Sequence, residues 1–249
     1  MGASSNTSRP RVVIVGAGFG GLNAALRLRK APVDVLLIDR QNDHTFQPLL
    51  YPVASAGLEP EEIAHAVRGV FQKQRNFAFR LGEVTDVDLD AKQVEMATGE
   101  AVRFDFLILA TGATTAFFGV DGASEHSFAL KSLQDAIKLR SHIIRCFEAA
   151  DRDPHAIDSG VLNFVVVGGG PTGVETAGAL VELFGLVLKK DFSSLPVDRA
   201  RVILIELQSE LLNSFHPRSR AYALKTLKKR NVEVLLEKGV TRVAGDRVV

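Results

Sequence analysis

One cysteine, Cys146, occurs in 249 residues. That excludes a disulfide framework within the chain and fits a reducing, cytosolic setting. No H-E-x-x-H, no Ser/His/Asp arrangement and no Cys/His cluster with metal-ligand spacing occurs, so there is no metal site to assign. The six histidines, at 44, 65, 126, 142, 155 and 216, are scattered, and each alone reads as a structural or surface residue. An excess of one charge is missing too: 30 Lys and Arg stand against 29 Asp and Glu, a formal net charge of +1. Nothing in that balance asks for nucleic acid, and the short basic run Lys228–Arg230 reads as a solvated helix face. No apolar run approaches the roughly 20 residues that span a bilayer. The opening MGASSNTSRP lacks the apolar core of a signal peptide, and Asn6 stands where myristoylation wants Ser or Thr. A soluble or peripheral protein is expected.

Hydrophobic residues make up 46% and charged residues 24%, an ordinary globular balance. The length suffices for one large or two modest domains. After a polar tail over 1–10, Arg11–Val15 reads as a strand buried on both faces, followed by GAGFGG at 16–21 and an Ala/Leu-rich helix to about Lys30. Val33–Ile38 is a second such strand, ending at Asp39: a βαβ unit, whose parallel strands need the crossover helix. HTFQPLLYPVASAGL at 44–58 fits no regular template, since Pro48 and Pro52 interrupt it, yet it is too apolar for a free loop. A helix opens at Glu59-Pro60-Glu61-Glu62, with Ile63, Val67, Val70 and Phe71 on one face. Residues 77–104 suggest a small antiparallel meander, and DFLILATG at 105–112 another buried strand. Leu133–Ala150 is amphipathic, 151–160 reads as a linker, and Asn163–Val167 is a third buried strand. It runs into GGGPTGVE and a helix to about Lys190, then Arg201–Ile205 ending at Glu206, a helix over Arg218–Arg230 and a strand over Val232–Leu236. Strand, glycine turn, helix, strand and acid thus occur at 11–39 and again at 163–206.

Gly16, Gly18 and Gly21 stand in G-x-G-x-x-G register. The first glycine permits a tight bend, the second lets backbone approach a pyrophosphate, and the third lets helix and strand pack closely. The anion rests on the free N–H groups at the helix start. A lone fingerprint is weak, but here a strand precedes it, a helix follows, and Asp39 closes the next strand at about the expected ~20-residue spacing. Gly168, Gly170 and Gly173 repeat the register, with Pro171 suited to the first helical position. The later arrival of Glu206 is explained by 186–200, a longer helix end and loop. A carboxylate there accepts both ribose hydroxyls and repels a 2′-phosphate, and no Arg follows in Leu207-Gln208, so NADH is expected rather than NADPH. Two such sites make sense if one holds a resident flavin and the other a visiting nicotinamide. Hydride passes between those cofactors without a protein acid or base.

These residues resemble the type II NADH dehydrogenases, single-subunit, non-proton-pumping NADH:quinone oxidoreductases of the two-dinucleotide-domain flavoprotein superfamily. The likeness runs from about Arg11 to the last residue. Its general part rests on GAGFGG, LATGA at 109–113 and GGGPTGVE; the narrower part rests on FQPLLYPVASAGL at 46–58, FFG with LKSLQDA at 117–136, and VGGGPTGVETAGALVEL at 167–183. The resemblance implies an α/β fold of two Rossmann-like dinucleotide-binding domains, one for FAD with a β-meander and one for NADH. Their boundaries would be 11–116 for the FAD domain, 117–160 for a connecting helix and linker, and 161–249 for the NADH domain. It implies FAD along Gly16, Ala17, Gly18, Phe19, Gly20 and Gly21, with Asp39 and Arg40 at its ribose, Val84 near the adenine, and Ala110, Thr111 and Gly112 beside the flavin. Gln47 and Leu49 fall in the stretch 46–51 that lines the flavin and the quinone approach. NADH would lie on Gly168, Gly169, Gly170, Pro171, Thr172 and Gly173, with Glu206 on its ribose. Glu175 would stand near the nicotinamide–flavin contact and relay protons to the reduced quinone. Its plain alternative is a carboxylate two residues into the helix that complements the positive helix end.

The resemblance further implies a quinone acceptor, a peripheral place on the cytoplasmic face of the cell membrane, and a longer parent chain. That parent would complete both domains and meet the membrane through a C-terminal region; a homodimer is left open. Among relatives of the same fold, a disulfide reductase needs a redox cysteine pair beside the flavin, which is missing here. A sulfide:quinone reductase needs more than one reactive cysteine, and Cys146, spaced with Leu139, Ile143 and Ala150, reads as a core thiol. The sulfide:quinone reductase, less favoured on this count, a ferredoxin- or rubredoxin-type reductase and a non-enzymatic NAD(H)-binding sensor remain as alternatives.

Overall fold

The computed structural model describes residues 9–249, so most of the tail expected over 1–10 lies outside the described residues. In chain order, β1 (Arg11–Val15) leads through the first glycine turn into α1 (Phe19–Arg27), which tightens into a 3₁₀ turn at Leu28–Lys30. β2 (Asp34–Asp39) and the short β3 (Asp43–Thr45) follow, then a 3₁₀ turn at Gln47–Leu49, α2 (Leu50–Ala54), α3 (Pro60–Ile63), β4 (Ala64–Ala66) and α4 (Val67–Val70). Five strands come next: β5 (Phe77–Leu81), β6 (Val84–Asp88), β7 (Gln93–Met96), β8 (Ala101–Arg103) and β9 (Phe106–Leu109). α5 (Ala123–His126) and the long α6 (Leu133–Arg152) lead to β10 (Asn163–Val167) and α7 (Pro171–Leu183). A π-helical turn, Phe184–Leu188, joins α7 to α8 (Lys189–Asp191), before β11 (Arg201–Ile205), α9 (Pro217–Lys229) and β12 (Val232–Leu235).

The chain forms two compact units. The first comprises residues 9–45 and Ala64–Thr114. Its parallel sheet has the order β5-β2-β1-β9. Alternate residues of a strand face opposite sides, and here both sides are covered. Val12, Ile14, Val35 and Leu37 pack with Ala25 of α1 and with Val67, Phe71 and Phe79. Val13, Val15 and Ile38 pack with Val94, Met96, Val102 and Phe104 of the meander face. Double burial is why these strands read as unbroken apolar runs. The meander itself is β6-β7-β8. Phe77–Leu81, expected to open it, instead pairs in parallel with β2, Val35 opposite Phe77 through Asp39 opposite Leu81. The helix expected from Pro60 through Phe71 is also divided. Ala64–Ala66 leaves the helix to pair antiparallel with Asp43–Thr45, so its backbone groups are satisfied across a ladder rather than along a helix. β9 pairs with β1 and is not the fully buried strand expected: Phe106 and Leu109 are exposed at the sheet edge.

The second unit comprises Phe46–Ile63 and Thr115–Val249. Its division from the first differs from the boundaries read along the sequence, because 46–63 and the whole of 117–160 belong to it. The apolar 46–58 stretch forms a turn and a helix, α2, whose Leu50, Val53 and Ala54 are buried and which packs on α6 and α7. Pro52 is tolerated because it sits in the first turn of α2, where its missing N–H is not needed. A parallel sheet β10-β11-β12 backs onto a core of Ile143, Phe147 and Ala150 from α6 and Ala177, Leu180 and Leu183 from α7. β10 pairs with β11, and Val167 at its end is exposed, which again makes an edge of a strand expected to be buried. The presumed linker at 151–160 is ordered: α6 continues to Arg152, and a 3₁₀ turn at Pro154–Ile157 buries Ile157 in the core. α6 begins with a capping box in which Asp135 N–H donates to Ser132 Oγ at 3.1 Å and Ser132 N–H donates to Asp135 Oδ2 at 2.8 Å. Contrary to the expectation that no apolar run reaches the length of a bilayer span, the helical run Pro171–Asp191 is long and apolar enough to cross one by length and composition. One face of it packs in the second core, where Ala177, Gly178, Leu180, Leu183, Phe184 and Leu188 are buried, while Leu186 and Val187 are exposed.

Candidate functional site

Each unit presents one glycine turn at the C-terminal end of its first parallel strand, where the chain enters a helix. In the first, Gly16 has φ +105°, a conformation that side chains rarely adopt, and its N–H donates to Ile38 O at 2.8 Å. In the second, Gly168 has φ +106° and its N–H donates to Ile205 O at 2.8 Å. The third glycine permits closeness in both: a Cβ on Gly21 would collide with Gly16 O, and one on Gly173 with Gly168 O. The middle glycines, Gly18 and Gly170, are the helix N-caps, at φ −68° and −72°. Among the described residues no side chain caps either helix, and a Cβ on either glycine would meet nothing within 4 Å. Open space beside an uncapped helix start is what a pyrophosphate requires, so both turns fit a dinucleotide.

The two acids are set by the turns themselves. Asp39 Oδ2 accepts from Ala17 N–H at 2.5 Å and Oδ1 from Gln41 N–H at 2.8 Å. Glu206 Oε2 accepts from Gly169 N–H at 2.5 Å and Oε1 from Gln208 N–H at 2.7 Å. Each carboxylate is thereby oriented by two amides and keeps acceptor capacity on each oxygen for a ligand hydroxyl. The side chains of the two turns differ at their second residue. Ala17 is buried in the first core, whereas a Cβ on Gly169 would stand 2.5 Å from Leu211 Cδ2 and 3.0 Å from Glu206 Cγ, so a side chain there would have to displace Leu211.

The structure gathers Gly16–Gly21, Asp39 and Ala110 in one place: Ala110 N–H donates to Val15 O at 2.8 Å, and a Cβ on Gly20 would touch Ala110 Cβ at 3.6 Å. Thr111 and Gly112 follow on the exposed loop, with Gly112 at φ +73°. Arg40 is exposed, and Val84 is half-buried at the start of β6, packed on the meander core. Gln47 and Leu49 are built into the second unit, where Lys131 Nζ donates to Gln47 Oε1 at 3.4 Å. Gly168–Gly173, Glu175 and Glu206 share that unit. Glu175 is the fifth residue of α7 and not in its first turn, so the helix-end alternative loses its basis. Glu175 is exposed, and partial desolvation of its carboxyl raises it above the ordinary glutamate value.

His44, which in sequence reads as a structural or surface residue, stands against the first glycine turn. Its Nδ1 lies 2.8 Å from Ala17 O, and its ring stands edge-on to Phe19, centroids 5.2 Å apart at 84°. Its place five residues after Asp39 is the only signal that could have found it. Cys146 is half-buried against the second core, with Sγ 3.5 Å from His142 Nε2; burial pushes its thiol up. Among the described residues no group of three or more His, Cys, Asp or Glu could hold a metal ion.

The family model of the pyridine nucleotide-disulphide oxidoreductases matches residues 10–249. The chain belongs to the pyridine nucleotide-disulphide oxidoreductase family. Within it, the chain is 42% identical over 239 residues to the type II NADH:quinone oxidoreductase NdhA of Mycobacterium tuberculosis, covering 94% of this chain and 51% of that protein. It is 43% identical over 240 residues to the type II NADH:quinone oxidoreductase Ndh of the same organism, covering 94% of this chain and 52% of the relative. Among solved structures, NDH2 of Plasmodium falciparum in complex with NADH aligns with a TM-score of 0.89 at 26% identity, over 95% of this chain and 50% of that one. The chain therefore spans about half the length of the curated relatives it matches. The two parallel-sheet units are the two Rossmann-like units of this oxidoreductase fold.

Proposed function

We propose that this chain carries the two nucleotide sites of an FAD-dependent NADH:quinone oxidoreductase that passes electrons to a membrane quinone without pumping protons. The observation that carries this reading is the pair of turns with one shared geometry, each acid bonded at 2.5 Å to the amide after the first glycine. The type II NADH:quinone oxidoreductases among its relatives support it. Bound FAD supplies the hydride acceptor and electron carrier. The chain's own residues bind and orient. The open helix start at Gly18 would hold the FAD pyrophosphate, Asp39 with the neighbouring Arg40 its ribose, Val84 the adenine side, and Ala110–Gly112 the flavin side. Gly168–Gly173 would hold the NADH pyrophosphate, and Glu206 its ribose hydroxyls, excluding a 2′-phosphate by charge. Gln47 and Leu49 would line the approach of the quinone. Glu175, its carboxyl raised by partial desolvation, would hold a proton more readily than a fully solvated glutamate and hand it on during quinone reduction. A quinone dissolved in a bilayer requires a peripheral protein at a membrane surface, the inner face of the cell membrane in this reading.

The test is optical. The protein is expected to be yellow, with absorbance near ~450 nm that NADH bleaches and a soluble quinone restores. A colourless protein that binds NADH and reduces nothing would overturn the reading in favour of a sensor. Equal turnover with NADH and NADPH at limiting concentration would remove the role given to Glu206.

A further inference from the structure

The two turns meet one geometric requirement with different donors, and the difference gives His44 a role. In a planar trans peptide the C=O and N–H point in opposite directions. Whatever holds the carbonyl of the second turn residue therefore aims the N–H of the middle glycine. In the second unit the holder is main chain: Leu212 N–H donates to Gly169 O at 2.9 Å, which directs Gly170 N–H the other way. In the first unit it is a side chain: His44 Nδ1 lies 2.8 Å from Ala17 O. A carbonyl oxygen only accepts, so Nδ1 carries the hydrogen. The ring is held in place from two sides. Its own strand β3 is paired with β4, His44 opposite His65, and the Phe19 ring meets it edge-on. The other end of the same residue is fixed as well, since Ala17 N–H is bonded to Asp39.

Resting on the reading of the first turn as an FAD site, we propose that His44 is a positioning residue for that cofactor. Its imidazole N–H fixes the Ala17–Gly18 peptide so that Gly18 N–H faces the pyrophosphate. A main-chain amide performs this task in the other turn.

FAD affinity is measured by flavin fluorescence titration of the deflavinated full-length protein, for the parent, His44→Leu and His44→Asn. His44→Leu is expected to bind FAD about five- to tenfold more weakly, the worth of one hydrogen bond. His44→Asn, whose Nδ2–H reaches a similar point, is expected to recover most of that loss. NADH affinity stays at the parent value in both. In FAD-free protein, hydrogen exchange at the Ala17 amide, which is bonded to Asp39, accelerates in His44→Leu and not in His44→Asn. Parent-like FAD affinity and exchange in His44→Leu would overturn the assignment. So would a His44→Asn as weak as His44→Leu, or a parallel loss of NADH affinity, which would mark a general defect of folding. If the parent itself takes up no FAD, the FAD reading fails, and the exchange comparison still judges the hydrogen-bond clamp.

Discussion

Gly16 and Gly168 hold the same backbone angle, φ +105° and +106°, in surroundings that differ. Replacing each by Ala separates the strain of the angle from the crowding around it. Forcing an L-residue into such a conformation costs about 1–3 kcal/mol, and that cost is common to both variants. A Cβ on Gly168 meets nothing within 4 Å, so Gly168→Ala is expected to lose no more than this. A Cβ on Gly16 would collide with Ala110 O and stand 2.7 Å from Ala110 C and 3.1 Å from Thr111 N. These are backbone atoms just past β9, held to β1 by the Ala110 N–H bond to Val15 O, and they cannot rotate aside as a side chain could. The overlap adds about 1–3 kcal/mol, bringing Gly16→Ala to roughly 2–6 kcal/mol. Urea unfolding with the slope held constant measures the two losses. Hydrogen exchange places them, in β1 and β9 for the first variant and in β10 and α7 for the second. Equal losses in the two variants would refute this expectation, because the extra loss in Gly16→Ala is assigned to crowding by the Ala110–Thr111 backbone alone.

Phe147 is fully buried, with the rings of Phe184 and Phe192 at 5.2 and 5.7 Å, so Phe147→Ala is expected to cost about 3–5 kcal/mol in a denaturant melt. A loss below ~1 kcal/mol would mean that the site collapses around the cavity. Glu175 has a folded-state carboxyl raised by partial desolvation, so between the ordinary and the raised value the folded state keeps a proton that the unfolded chain releases. Stability from this group therefore falls as pH rises through that window. Glu175→Gln is expected to flatten the fall, making the variant the more stable at neutral pH and equal to the parent below the ordinary carboxylate range, as urea melts from pH 4 to 8 would read. Cys146 is half-buried with its thiol pushed up. Iodoacetamide at pH 7 is expected to label it at least about tenfold more slowly than a free thiol until urea unfolds the chain, followed by mass spectrometry.

Much of the architecture was legible because its signals are local. β2 and β11 are apolar runs ended by an acid, β1 is one ended by the glycine turn, and Gly, Pro and capping residues punctuate the helices where short-range sterics demand them. The misreadings came where a neighbour in space decides. The residues of 60–71 have helical spacing, yet Ala64–Ala66 finds a strand partner in Asp43–Thr45. Phe77–Leu81 alternates as a meander strand would, yet it lies beside β2 in the parallel sheet. Runs as apolar as Phe106–Leu109 and Asn163–Val167 look doubly buried, but burial depends on what covers them, and both are edges.

The sequence by itself determined two strand–turn–helix units, the glycine register and the acids Asp39 and Glu206, since each follows from residue type and spacing within about 40 positions. Only the tertiary structure decided how each turn is closed: an imidazole at His44 for one, the main-chain N–H of Leu212 for the other. A hydrogen bond is chosen by which donor arrives within about 3 Å at the right angle, and no pattern along the chain carries that information.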